Sequence, residues 1–181
     1  MQKGSGTILV GDAPCDDAVW DEIVARVKDG AKAVITCPEV LLKGVEDPYD
    51  YYNSYPLQRL PVEKQGSLLF SCSWAFRIHT VLKNTRFSRG MPVGLLRDQY
   101  YDQTEPLFVL CDTQDPDELG AVSLNSPYTD MSDDEVHRSL AGVSLGSFKV
   151  GAGEMIVNCF RILSELGRSP AADTLLFNLI R

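Results

Sequence analysis

The residues that could do chemistry in this chain fall into three groups, and each is tested by the spacing its chemistry requires. A cysteine nucleophile needs a strained strand-to-helix turn that exposes its sulfur, as in G-x-C-x-G, with a histidine base nearby. The five cysteines, Cys15, Cys37, Cys72, Cys111 and Cys159, read P-C-D, T-C-P, S-C-S, L-C-D and N-C-F, so none has that context. His79 and His137 are followed two residues later by Val81 and Ser139, not by the glutamate an amidotransferase histidine carries. Paired carboxylates occur as Asp12, Asp16 and Asp17, and as Asp133, Asp134 and Glu135. A glycosidase needs two at a fixed separation. However, Asp16 and Asp17 suit a helix N-terminus, and Ser132 to Glu135 reads as an S-x-x-E capping box. The glycine clusters Gly4-Ser5-Gly6 and Gly151-Ala152-Gly153 precede strands rather than helices, so neither reads as a phosphate loop. No catalytic set, metal site or cofactor is expected from these residues, since no C-x-x-C and no histidine ligand pair occurs.

Binding is a different matter. In an open α/β sheet, ligands gather beyond the carboxyl ends of the strands. The strand ends legible here are Gly11-Asp12, Cys37-Pro38 and Ser73-Trp74. Asp12 is not needed as a helix cap, Cys37 ends an apolar run, and Trp74 offers a flat apolar face. These three are the candidate ligand-binding residues. The bland alternative is that Asp12 satisfies local amides and Trp74 only packs.

The elements that would position them follow from periodicity. Thr7-Ile8-Leu9-Val10 reads as a buried strand. Val19, Trp20, Ile23, Val24 and Val27 share one face of a helix capped by Asp16 or Asp17 and stopped at Gly30. Ala33 to Cys37 is a second strand, ended by Pro38, which completes a βαβ unit with a parallel pair. Pro38 to Lys43 suits a short helix. Val45 to Gly66 is irregular, with Pro48, Pro56 and Pro61 denying a helix. Its tyrosines, Tyr49, Tyr51, Tyr52 and Tyr55, suit either sugar stacking or packing of a long loop, and packing is the commoner role. Ser67 to Cys72 and Leu107 to Cys111 are further strands, Phe76 to Leu82 an edge strand or arm, and Thr113 to Gly120 a polar turn. Ser132 to Leu140 suits a short helix. Val143 to Val150 pairs with the run from Met155 to Leu163 across Gly151-Ala152-Gly153, as a hairpin. Ser169 and Pro170 then open a terminal helix whose stripe is Ala172, Leu175, Leu176, Leu179 and Ile180.

Composition sets the outer bounds. The chain has 181 residues, 44% of them hydrophobic, which suits one α/β domain spanning 1–181. A net charge of −8 argues against a nucleic-acid partner. No apolar run approaches the ~20 residues that cross a bilayer, and the N-terminus has no signal-peptide pattern. An odd number of unclustered cysteines suits a reducing, cytoplasmic setting.

The segment GAGEMIVNCFRILSELGRSPAADTLLFNLIR resembles the end of the C-terminal accessory domain of β-galactosidase-like glycoside hydrolases of family two. The residues that carry it are Gly151, Gly153, Glu165, Leu166, Gly167, Pro170, Ala171, Ala172, Asp173, Leu175, Leu176, Asn178 and Leu179. Phe87 to Leu96, with Tyr100, Tyr101 and Pro106, is similar to a second segment of that domain, although Thr85-Arg86 stands where histidine-proline is usual. The resemblance implies a three-layer, flavodoxin-like or class I glutamine-amidotransferase-like fold, with a mostly parallel sheet and an antiparallel hairpin near the C-terminus. It also implies that the glycosidase carboxylates lie on another domain. The expected role is a non-catalytic accessory or assembly domain, whose partners are the rest of a glycoside hydrolase or further copies of itself. The alternatives are a small-molecule or carbohydrate-binding module at the carboxyl edge, and a divergent cysteine hydrolase using Cys37 or Cys72.

Overall fold

The computed structural model describes residues 6–12, 15–49, 54–70, 79–96, 100–101, 103–125 and 140–181. Within these, the strands are β1 (Thr7–Val10), β2 (Lys32–Ile35), β3 (Ser54–Pro56), β4 (Ser67–Phe70), β5 (His79–Leu82), β6 (Gly94–Leu95), β7 (Phe108–Cys111), β8 (Glu118–Asn125), β9 (Leu140–Val150) and β10 (Gly153–Asn158). The helices are α1 (Asp17–Lys28) and α2 (Pro170–Ile180). One sheet runs β1-β2-β10-β9-β7-β4-β3, and β8, β5 and β6 extend it from the other edge of β9.

The βαβ unit forms as its spacing predicts. β1 and β2 pair in parallel, Thr7 opposite Lys32 through Val10 opposite Ile35. Asp16 caps α1, its Oδ1 accepting from the Val19 amide at 2.8 Å. Asp17 is left free to pair with Lys43 and Arg59. Trp20 and Val27 are buried, Ile23 and Val24 half-buried, while Val19 is exposed. β10 joins β2 in parallel, and the expected hairpin joins β9 to β10 from Val150–Gly153 to Leu145–Asn158. The hairpin turn packs on the end of α1, and this close approach is why it is made of glycine. A Cβ at Gly153 would meet the Ala31 and Val27 carbonyl oxygens at 2.1 and 2.3 Å. Gly151 has φ 62° and lies against the Lys28 backbone.

The two helices cover opposite faces of the parallel strands. Ala33, Ile35, Met155 and Val157 share a core with Trp20 and Val27 of α1. Val34 and Ile156 face the other way, into the core built with Ala172, Leu175 and Leu179 of α2. α2 is capped by Ser169, whose Oγ accepts from the Ala172 amide, and Pro170 opens it. Ile180 of the expected stripe is instead exposed.

Beyond these strands the expected fold fails. Among the described residues the sheet is mixed, with ten strands and two α-helices, and is not a three-layer, mostly parallel, flavodoxin-like or amidotransferase-like sheet. β4 pairs antiparallel with both β3 and β7, and β8 pairs antiparallel with β5 and β9. The physical reason lies in the connections. A parallel pair needs a crossover of a dozen or more residues, usually a helix. Among the described connections only β1 to β2 runs through an α-helix, and the segment after β2 has a 3-10 turn at Pro38–Leu41 followed by prolines. An apolar run such as Ser67 to Phe70 gives strand character without direction. The polar turn expected over Thr113 to Gly120 contains the start of β8. The expected short helix from Ser132 lies outside the described residues, apart from Leu140, which begins β9.

Candidate functional site

β1, β2 and β10 run the same way, so their carboxyl ends, Gly11-Asp12, Thr36-Cys37 and Asn158-Cys159, meet at one edge. Thr36 locks two of them together: its amide and Oγ1 both donate to the Val10 carbonyl, at 2.9 and 2.8 Å. Two cavities open at this edge, of about 350 and 180 Å³, and Asp12, Cys37 and Glu39 line both. The larger adds Cys15, Tyr49 and Arg59. The smaller adds Phe108, Phe160, Arg161 and Leu163. Thus Asp12, exposed at the rim, and Cys37, half-buried, lie together as expected, while Trp74 lies outside the described residues.

Glu39 is the hub, and it was not among the residues singled out from sequence. It sits on the Pro38–Leu41 turn. The Tyr49 hydroxyl donates to its Oε1 at 2.8 Å, while its Oε2 is buried with no hydrogen-bond partner. Arg59 is anchored by donating to the Val40 carbonyl at 3.0 Å and to Asp17 at 2.8 Å, yet its Nε is buried and unpartnered. Arg161 Nε is in the same state. Burying a polar group without a hydrogen bond costs about 1–3 kcal/mol, and more for a charged one. The side chains that carry these three atoms line the adjoining cavities. The fourth unpartnered atom, Asn158 Oδ1, lies at the end of β10, whose Nδ2 donates to the Phe160 carbonyl at 2.9 Å.

The electrostatics oppose nucleophilic chemistry. Burial pushes the Cys37 thiol up to about 11, helped by the charges of Glu39 and Asp12. Burial also pushes the Cys159 thiol well above its ordinary value. Tyr49 is pushed up to about 12, by burial and then by its bond to Glu39. An activated thiol needs the opposite shift. Among the described residues no three His, Cys, Asp or Glu side chains cluster as a metal site. No described helix is long and apolar enough to cross a membrane.

A wider hollow of about 740 Å³ lies at the opposite end of the sheet, around Gly151 to Glu154. Most of its charges are paired, and Lys32 donates to the Ile180 carbonyl at 3.3 Å. Arg86 pairs with Glu118 and Glu154, and Lys149 with Asp117. Size alone therefore does not make it the better site.

Glu39 escaped notice because an acid in the first turn after a proline reads as a helix-end charge. Arg161 did leave a signal: it is the lone charge in the apolar run from Met155 to Leu163. No protein-family model matches this chain, and no curated protein matches it either.

Proposed function

We propose that this chain is a non-catalytic accessory or assembly domain of a β-galactosidase-like glycoside hydrolase, and that its carboxyl edge binds rather than reacts. The residues of the terminal hairpin and helix that resemble such domains support the first half. The second half rests on Cys37, which among the described cysteines is the one that lines both cavities, and whose thiol burial pushes up to about 11. Among the described residues it also has no histidine base nearby. β8, β9 and β10 separate β5, which carries His79, from β2, so about 19 Å of sheet lies between them.

A second reading, a small-molecule or carbohydrate-binding module, is favoured by the unpartnered Glu39, Arg59 and Arg161 atoms. The two readings are compatible, since a binding module can be an accessory domain. Ammonia release from glutamine and hydrolysis of a chromogenic β-galactoside test the non-catalytic claim. Purified chain and a Cys37→Ala, Cys72→Ala variant should both match the buffer blank. Turnover that disappears in the variant overturns the proposal.

A further inference from the structure

Three charged side chains, Asp12, Glu39 and Arg161, line the smaller carboxyl-edge cavity, and none enters an ion pair among the described residues. Glu39 and Arg161 both line it and both are half-buried. Glu39 takes a hydrogen bond from Tyr49 only, and Arg161 enters no ion pair among the described residues. The ion pairs of the described residues engage Asp17, Arg86 and Asp117 instead. Nor do Glu39 and Arg161 neutralise each other. A partly desolvated charge left unpaired is costly, and pairing recovers that cost.

We infer that this cavity takes a zwitterionic ligand, a free α-amino acid, with the Glu39 side chain at its ammonium end and the Arg161 guanidinium at its carboxylate. The inference rests on the reading of this edge as a binding surface and names its ligand class. A neutral polyol would satisfy hydrogen bonds but leave both charges uncompensated. A simple amine or carboxylate would meet only one of them. Asp12 lines the same cavity and gives the ammonium end a second acceptor. Phe108, Phe160 and Leu163 supply an apolar wall for a short side chain. The volume, about 180 Å³, is room for roughly six water-sized groups, which is the size of alanine or serine. The unneutralised charge of Glu39 is also felt by its neighbours, since it helps to raise both Cys37 and Cys159.

Calorimetric titration of the whole chain with L-alanine and L-serine tests this, with methylamine, acetate and galactose as comparators. Saturable binding of the amino acids is expected, weakened by at least about tenfold in Glu39→Gln and in Arg161→Gln, one charge-assisted contact being lost in each. Methylamine and acetate should each bind at least about tenfold more weakly than alanine. If either variant does not fold, that comparison in the wild-type chain decides alone. Galactose binding without amino-acid binding overturns the inference and leaves the binding edge standing. If alanine binds no better than methylamine or acetate, the inference also fails. If no compound binds, both the inference and the binding module fail.

Discussion

The Tyr49 hydroxyl donates to Glu39 Oε1 at 2.8 Å, while its ring meets Phe70 edge-on at a centroid distance of 5.2 Å. One side chain thus ties the irregular segment after β2 to the core and holds one oxygen of the site carboxylate, while the other oxygen is buried without a partner. Tyr49→Phe keeps the ring and removes the donor. The expected cost is about 0.5–1.5 kcal/mol in urea unfolding, the usual net worth of one hydrogen bond. A loss above about 3 kcal/mol would mean that the ring, not the hydroxyl, is what the variant disturbs.

Gly153→Ala should be far more damaging than Gly44→Ala. At Gly153 the added carbon runs into two backbone carbonyls of the α1 terminus, which cannot swing aside. At Gly44 the added carbon meets nothing within 4 Å, and only the positive φ of 70° opposes it. Thermal melts should show a loss of about 1 kcal/mol at Gly44. At Gly153 the loss should reach about 3 kcal/mol or more, through overpacking. Equal losses would contradict the docking of the hairpin turn on α1.

Stability should fall at alkaline pH. The Cys37 and Cys111 thiols are raised from 9.0 to about 11, and Tyr49 from 10.0 to about 12. Each group holds its proton longer folded than unfolded, so its contribution is complete below the unfolded value and is lost as pH rises through the folded one. The melting temperature should therefore decline from about pH 9 upward, and alkylation of Cys37 should stay slow at pH 8. A flat melting curve to pH 11, or rapid Cys37 alkylation at pH 8, would contradict the burial of the two thiols and the bond of Tyr49 to Glu39.

The parts of this structure that were legible in sequence are those fixed by local spacing. Asp16 before an apolar helical face, Ser169-Pro170 before another, and a Gly-Ala-Gly turn between two apolar runs each specify their own element. Direction and neighbours were not legible. Ser67 to Phe70 and Phe108 to Cys111 are apolar runs that suit either sense of pairing, and a flavodoxin-like expectation assigned them the wrong one. β8 was missed because its acidic start, after Asp115-Pro116-Asp117, reads as a turn. Asp12 and Cys37 were reachable, because the βαβ rule places strand ends at one edge. Glu39 and Arg59 were not, since their significance lies in hydrogen bonds they do not make, whereas Arg161 stands out as the lone charge between Met155 and Leu163.

The central claim, that the carboxyl edge is where this chain binds, is tested most directly by the arginine Nε–H signals in proton-nitrogen NMR. Arg161 and Arg59 have unpartnered Nε groups at this edge, whereas Arg86 Nε is held by Glu118 Oε2 at 2.8 Å at the far end of the sheet. Titration with L-alanine and, separately, with galactose should shift the Arg161 or Arg59 signal saturably with at least one of them, and leave Arg86 in place. If no Nε signal moves with either compound, or if Arg86 moves as far as the other two, the carboxyl edge is not the binding site.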